Sequence, residues 1–170
     1  PKEPVDKHDA VSLSNVAGKV DFDTVSFGYV RDKIILKDIS LSANPGQVIA
    51  IVGETGAGKT TIINLLMRFY DIAIGKISID DKNYRDYKMS DLRKSFAMVL
   101  QDTWLFNGTV YENIAYGNEN ATRQQVIEAA KAAKIHRYIE SLPDGYDTVI
   151  TVYATNISKG QKLLLTISRA

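Results

Sequence analysis

The stretch of sequence that decides the fold is GETGAGKTT, which runs from Gly53 to Thr61. It matches the pattern G-x-x-x-x-G-K-[ST], in which glycines let backbone N–H groups approach phosphate oxygens closely. Lys59 is placed to reach the β- and γ-phosphates, and the Thr60 hydroxyl to bind Mg²⁺. The helix expected after the loop points its positive end at the same place. The stretch therefore predicts a loop, called the P-loop below, that binds a nucleoside triphosphate.

Both flanks of the P-loop agree with that prediction. Val48 to Val52, directly before it, is wholly apolar and mostly β-branched, which predicts a buried parallel strand. A second wholly apolar run, Phe96 to Leu100, is also expected to be a buried strand. A flexible glycine turn, the alternative interpretation of the loop, predicts neither flank. After the loop, apolar residues recur at the spacing of one helix face: Ile62, Leu65, Leu66 and Phe69.

Composition limits the classes of function. The 170 residues make one domain or part of a larger one. Lysine and arginine number 21 against 20 acidic residues, without a basic block, which argues against a nucleic-acid-binding surface. The absence of cysteine excludes disulfides, thiolate zinc sites and a cysteine nucleophile, and it fits a reducing compartment. No apolar run approaches the roughly 20 residues that span a bilayer, and no signal peptide is found, so we expect membrane-spanning parts only in a partner or in sequence outside this chain.

An antiparallel layer is predicted around the P-loop strand. Val20 to Phe22 alternates in one phase and Val25 to Phe27 in the opposite phase, which predicts two strand pieces joined at a bulge. Further short strands are expected at Ile34–Leu36, Ile39–Leu41 and Ile77–Ile79.

The remaining sequence predicts helices. Ser90 is expected to cap a short helix, and capping boxes that begin at Thr109 and Thr122 predict two more. Another short helix is expected over His136–Ser141, and the last helix begins near Ser158.

Four motifs occur in an order that indicates a family. They are FGY at Phe27 to Tyr29, the P-loop, LQD at Leu100 to Asp102, and NISKGQ at Asn156 to Gln161, called the signature below. Together they resemble the nucleotide-binding domain of an ABC transporter of the exporter type, over residues 29–170. The stretches Asn64 to Tyr70 and Leu142 to Tyr146 are also similar to this family.

The resemblance implies an α/β fold, with an incomplete P-loop NTPase core, an N-terminal antiparallel β-subdomain and an α-helical subdomain. It divides the chain into a linker or tail (residues 1–18), the β-subdomain with the P-loop core (19–100), and the Q-loop, α-helical subdomain and signature helix (101–170). The implied function is to couple ATP binding and hydrolysis to substrate transport at the cytoplasmic face of the cell membrane. Expected partners are ATP, Mg²⁺, the transmembrane domain of the same polypeptide and a second nucleotide-binding domain, with no nucleic acid.

The resemblance also implies which residues hold the nucleotide and the metal. Lys59 and Gln101 are expected to be catalytic, and Thr60 and Gln101 to bind Mg²⁺. Gln101 lies in the Q-loop, where it would contact the metal or the attacking water; otherwise it is a solvated loop residue. The whole P-loop is expected to contact ATP: Gly53, Glu54, Thr55, Gly56, Ala57, Gly58, Lys59, Thr60 and Thr61.

Two further parts of the implied site lie outside the P-loop. Tyr29 is expected to stack its ring on the adenine, a contact worth roughly 1–3 kcal/mol in single-strand binding proteins; the alternative is an aromatic residue that ends a strand. In the signature, Ser158, Gly160 and Gln161 are expected to close over ATP held by the P-loop of the opposite subunit. Ser158 and Gln161 also fit a helix-capping pattern, and the two interpretations do not exclude each other.

The signature departs from the usual Leu-Ser-Gly-Gly-Gln in two places. Ile157 replaces leucine, which is a mild change. Lys159 adds bulk and charge where the backbone should lie close to phosphate. In two-subunit exporters one composite ATP site is often weakened, so we expect a heterodimer in which this signature faces the weaker site. A homodimer that tolerates Lys159 is the alternative.

The sequence lacks an apolar strand ending in aspartate after the last helix. We therefore expect the Walker B motif and the catalytic glutamate to be missing, and the isolated chain to be inactive. The stretch Phe106 to Tyr116 is expected to receive the transmembrane domain, with ordinary packing as the alternative. Two other functions stay open, a nucleotide-dependent clamp of the DNA-repair or chromosome type and a non-hydrolysing nucleotide-binding fragment. The short spacing between P-loop and signature argues against the clamp.

Overall fold

A computed structural model describes residues 4–30, 33–100, 103–118, 120–151 and 157–170. The chain forms two compact units, of which the first ends at Phe96 and the second begins at Ala97. The boundary predicted from the sequence lies slightly later, after Leu100. Each unit has its own hydrophobic core.

The first unit contains a four-stranded antiparallel sheet, which confirms the antiparallel layer predicted from the sequence. Its strands are β1 (Val20–Phe27), β2 (Leu36–Ala43), β3 (Ile74–Ile79) and β4 (Lys82–Asn83), in the order β2-β1-β3-β4. The predicted bulge in β1 is confirmed, because its pairing with β2 shifts register after Phe22. The two short strands predicted at residues 34–36 and 39–41 are one strand, β2, which begins only at Leu36.

Two helices pack against this sheet, α1 (Lys59–Leu66) and α2 (Met89–Lys94). Leu65 of α1 is fully buried, and its neighbours on the predicted apolar face pack partly against the core. Phe69 was wrongly assigned to this face, because the helix ends before it and its ring is 39% exposed. The largest buried apolar side chains of the unit are Phe22, Ile77, Ile79, Tyr84, Tyr87 and Leu92.

Two predicted strands are wrong. Neither Val48 to Val52 nor Phe96 to Leu100 forms a strand. Val48 and Val52 expose 94% and 88% of their surface, and Leu100 is half exposed. A strand needs a neighbour that shares its backbone hydrogen bonds, and no strand among the described residues lies beside either segment. An apolar pattern shows that a segment can form a buried strand if a neighbouring strand is present. Among the described residues these two segments have no such neighbour.

The cap predicted at Ser90 is also wrong. The N-cap of α2 is Lys88, which has no side-chain capping bond, and Ser90 lies inside the helix. Asp6 supplies the missing acceptor, because its carboxylate accepts the Met89 N–H at 3.0 Å. The N-terminal segment thus contacts the first unit, and Val11 forms a bridge with Tyr87. A cap from so distant a residue carries no local sequence signal.

Helices make up most of the second unit. They are α3 (Val110–Ala115), α4 (Arg123–Ala132), α5 (His136–Glu140) and α6 (Lys159–Arg169), joined by a small antiparallel pair, β5 (Gly108–Thr109) and β6 (Val149–Ile150). The predicted capping boxes at Thr109 and Thr122 are both confirmed. No helix in the described part of the chain combines the length and apolar character needed to cross a bilayer.

Candidate functional site

The P-loop leads directly into α1 with a backbone that requires glycine. Gly58, the N-cap residue, has φ 88° and ψ 10°, and Gly56 also has φ 88°. A Cβ on Gly58 would come within 2.7 Å of the Leu36 Cδ2 atom, so both the backbone conformation and the close approach exclude a side chain. The Ala57 N–H donates to the Glu54 carbonyl at 3.1 Å, which closes the turn.

The start of α1 is suited to an anion. No side chain caps it, and its first turn contains no acidic residue. Its first backbone bond runs from the Ile62 N–H to the Gly58 carbonyl at 3.1 Å. The preceding N–H groups carry the positive end of the helix dipole, which favours phosphate. The Thr60 side chain is exposed beside them, where a hydroxyl could contact a hydrated metal ion.

Lys59 lies over the loop that precedes it. Its Nζ donates to the Gly53 carbonyl at 2.8 Å and to the Glu54 carbonyl at 2.7 Å. These bonds hold the ammonium above the turn instead of extending it into solvent. One positive charge and the uncapped helix end therefore belong to the same nine-residue segment. Glu54, Thr55, Gly56 and Ala57 are exposed along it.

Tyr29 is fixed against α1. Its hydroxyl donates to the Thr61 Oγ1 at 3.2 Å and accepts from the Asn64 side chain at 3.0 Å. Its ring meets the rings of Phe27 and Tyr70 edge-on, with centroids 5.1 and 4.9 Å apart. The residue is still 42% exposed, so part of the Tyr29 ring is accessible next to the P-loop.

Sequence reasoning missed two of these contacts. Asn64 and Tyr70 were recognised only as the ends of a stretch similar to the family, without a role. Thr61 was included as a possible ATP contact, yet it is 95% buried and its hydroxyl is bonded to Tyr29. The signal available in the sequence was the helical spacing of Thr61 and Asn64, which places both on one side of α1.

The signature begins α6 with a complete capping box. The Ser158 Oγ accepts the Gln161 N–H at 3.2 Å, and the Gln161 Oε1 accepts the Ser158 N–H at 2.8 Å. Gly160 and Lys159 are exposed, and a Cβ on Gly160 would meet only the Ser158 Oγ, at 3.9 Å. Ile157 is buried in the core of the second unit. The capping interpretation from the sequence is confirmed, and Gly160, two positions after the cap, leaves its backbone accessible.

The predicted site residues fall in two places. Tyr29 and the P-loop lie together in the first unit, whereas Ser158, Gly160 and Gln161 lie in the second. Gln101 lies outside the described residues, so its catalytic and metal-binding roles stay predictions. The described residues contain no group of three or more His, Cys, Asp or Glu side chains that could hold a metal ion.

An exposed cluster of rings lies near the predicted transmembrane contact, and we call it the aromatic surface. It consists of Trp104, Phe106 and Tyr116, whose centroids lie 5.3–6.2 Å apart. Trp104 and Tyr116 expose 51% and 58% of their surface. Arg169, the last residue of α6, lies beneath the rings, and burial lowers the pKa of its guanidinium. The sequence-based prediction covered residues 106–116 but missed Trp104 and Arg169; four aromatic residues within the thirteen positions 104–116 were the available signal.

Comparisons with known proteins agree on one family. The family model described as ABC transporter matches residues 36–170. A fatty acid ABC transporter ATP-binding/permease protein of Mycobacterium bovis is 49% identical over 93% of this chain and 25% of its own length. A putative multidrug export ATP-binding/permease protein of Bacillus subtilis is 46% identical over 96% of the chain and 28% of its own length.

A lipid transporter and a solved structure extend the comparison. An ATP-dependent lipid A-core flippase of Syntrophus aciditrophicus is 43% identical over 98% of the chain and 28% of its own length. The structure of a bacterial Atm1-family ABC exporter with ATP bound has a TM-score of 0.91 and 42% identity, covering 98% of this chain and 29% of that one. The predicted fold class, a P-loop NTPase domain, is thereby confirmed. The chain spans about a quarter of the length of the curated relatives it matches.

Proposed function

Because the chain belongs to the ABC transporter family, we propose that it is the ATP-binding domain of an exporter and that it couples ATP binding and hydrolysis to transport across a membrane. The observation that carries this proposal is the junction of the P-loop with α1. There the glycine backbone, the Lys59 ammonium and an uncapped helix end lie within nine residues. The clamp and the non-hydrolysing fragment, considered from the sequence, are not favoured by the relatives found.

The residues of the first unit fit a Mg²⁺-bound nucleotide. Lys59 would exchange the two carbonyl oxygens that it now contacts for phosphate oxygens. The first N–H groups of α1 would bind the same phosphates, and Thr60, with Gln101, would bind the metal ion. Bound Mg²⁺ neutralises charge on the phosphates and thereby favours attack on the terminal one. We assign Lys59 and Gln101 the catalytic roles.

Tyr29 is the residue that we assign to the base. Its hydroxyl bonds to Thr61 and Asn64 fix the ring beside α1, so the distance from adenine to phosphate is set by one helix. A ring that is already ordered loses little conformational entropy when a base stacks on it. Its edge contacts with Phe27 and Tyr70 leave part of the ring surface exposed.

The signature would act on a nucleotide held by a second subunit. The Ser158 Oγ accepts the Gln161 N–H and thereby caps α6. The Ser158 O–H has no acceptor among the described residues, so this hydroxyl can donate to a phosphate. Gly160 gives the backbone close access. Lys159 is exposed at the same end and supports a heterodimer in which this signature faces the weaker site. Full ATPase activity in a homodimer of the complete protein would exclude the heterodimer.

The transmembrane domain of the same polypeptide is the proposed partner of residues 106–116. The exposed ring of Tyr116, which contacts the half-buried ring of Phe106, supports this assignment, because exposed aromatic clusters mark interaction sites. We therefore place the domain at the cytoplasmic face of the cell membrane.

The test uses the complete protein in lipid. We expect Lys59→Ala to lower the ATPase rate at least about 100-fold, since one preorganised charge on the reacting phosphates is lost. The matched control Lys37→Ala removes an exposed lysine from β2 and should change the rate less than about twofold. Equal rates in the wild type and the Lys59→Ala variant would contradict the proposed function.

A further inference from the structure

One cation is shared by all three rings of the aromatic surface. The Arg169 guanidinium carbon lies 5.2 Å from the centroid of Trp104, 5.9 Å from that of Phe106 and 5.4 Å from that of Tyr116. At these distances the negative face of each ring attracts the cation. The position of the rings is therefore linked to the last residue of α6.

Hydrogen bonds fix the guanidinium in that place. Its Nε donates to the Asn113 carbonyl at 2.8 Å, and one Nη donates to the Asn113 Oδ1 at 3.2 Å. The Asn113 side chain is fully buried and also bonds the backbone N–H and carbonyl of Phe106, each at 3.1 Å. Asn113 thus connects Arg169 to the chain that carries the rings.

A close backbone contact strengthens the same junction. The Arg169 carbonyl oxygen lies so near Gly117 that a Cβ there would collide with it. Because Gly117 directly follows Tyr116, the end of α6 touches the aromatic surface through backbone as well as side chain. The other end of α6 carries the signature, with Ser158 as its cap.

We propose that Arg169 is a positioning residue that joins the aromatic surface to the signature helix. α6 has 11 residues and is about 16 Å long. A displacement of the rings would then move α6 as a whole, and Ser158 and Gly160 with it. Without Arg169, the ring side chains could rotate and leave the helix in place. This inference rests on the proposed function, because it assumes that the rings receive the transmembrane domain and that the signature contacts ATP.

Arginine is the residue that this geometry requires. Its planar fork places donors on both the carbonyl and the side chain of Asn113 while its flat face lies against the rings. Lysine would keep the charge but has neither the fixed fork nor the flat surface. Arg169→Lys therefore removes the coupling with little change in charge.

The experiment compares two arginines in the complete protein in lipid. Arg169→Lys is the test, and Arg123→Lys is the matched control, because Arg123 lies 5.7 Å from the Tyr111 centroid in the same unit but outside the signature helix. The ATPase kcat is divided by the number of sites that bind a fluorescent ATP analogue. We expect Arg169→Lys to lower kcat per site about tenfold with Kd for the analogue changed less than about twofold, and Arg123→Lys to alter neither.

A double-mutant cycle gives the second measurement. Trp104→Leu should also lower kcat per site, and the Trp104→Leu/Arg169→Lys variant should be no slower than the slower single variant, because both interrupt one connection. If Arg169 were merely structural, fewer sites would bind nucleotide but kcat per site would be unchanged, and that result would overturn the inference. If the ATPase rate of the wild-type protein did not depend on Lys59, that result would instead overturn the proposed function.

Discussion

Arg68 lies just after α1, the helix that follows the P-loop. Its side chain is 2% exposed. Its guanidinium contacts the Asp6 carboxylate at 3.2 Å and the Asp71 carboxylate at 3.4 Å, and it donates to the Val5 carbonyl at 3.0 Å. A buried cation is strongly destabilising when its partners are removed. The N-terminal segment around Asp6 therefore stabilises the first unit.

We expect Asp6→Ala to lower the free energy of unfolding by about 1–3 kcal/mol, because it takes one partner from a buried cation and the acceptor from the start of α2. The neighbouring control is Lys7→Ala. It breaks an exposed ion pair with Asp86 and should cost less than about 1 kcal/mol. Urea denaturation measures both changes, and equal losses would contradict the role given to Arg68.

Asp147 gives a prediction about pH. Its hydrogen bond from Arg123, at 2.7 Å, holds the pKa of this carboxyl below its ordinary value of 3.8. The depressed value means that the pair stabilises the fold above the ordinary pKa and that this stability is lost as the pH falls through the folded-state pKa. We expect wild type to exceed Asp147→Asn in stability at pH 7 and the difference to shrink below about pH 4.

The measurement is urea denaturation across that pH range. In an Arg123→Gln background the group that lowers the pKa of Asp147 is absent, so the stability advantage of Asp147 over the Asp147→Asn variant should no longer shrink as the pH falls. A difference that persisted in this background would assign the shift to another group.

At the scale of elements, helix starts were the most predictable part of the structure. The boxes at Thr109, Thr122 and Ser158 use residues three positions apart, so all the information lies within one turn. The cap of α2 was missed, because Asp6 is 83 residues from Met89. Local chemistry is visible in a sequence, whereas a contact made only by folding is not.

The strands follow the same rule. The bulge in β1 was visible as a change in phase between Phe22 and Val25, since alternation is a property of neighbouring residues. Val48 to Val52 has the composition of a strand but finds no partner among the described residues. Likewise the P-loop was found from its motif alone, whereas the bonds from Tyr29 to Thr61 and Asn64 depend on how β1 meets α1.

Two capping boxes allow the role of the signature to be separated from its stability. Thr122→Ala and Ser158→Ala each remove the side-chain acceptor at a helix start, and each should cost about 1 kcal/mol. Only Ser158→Ala should lower the ATPase rate of the complete protein, because only Ser158 is assigned to phosphate. Thermal unfolding and ATPase assays on both variants measure this, and equal loss of activity would reduce Ser158 to a helix cap.

At the scale of the whole molecule, the residues that we propose for ATP binding lie in two separate parts of the chain. The P-loop and Tyr29 belong to one compact unit and the signature to the other. The relatives it matches are about four times longer. The motifs predicted both parts and, through the family resemblance, the kind of partner, but the heterodimer and the homodimer both stayed open.

We expect the isolated 170-residue chain to hydrolyse ATP no faster than background. The acidic residue that would complete the metal site with Thr60 is not expected within these 170 residues. Phosphate release measured with wild type and Lys59→Ala is the test. Multiple turnovers that disappear in the Lys59→Ala variant would show that this chain suffices for catalysis.

The contacts of Lys59 bear on how fast nucleotide leaves. The ammonium touches two main-chain oxygens of its own loop, at 2.8 and 2.7 Å. When a phosphate leaves, the Lys59 ammonium could return to these two carbonyl oxygens by rotation of its side chain. The cation would therefore not need to be rehydrated. This internal substitute would favour release of the product, and an entering nucleotide would have to displace it.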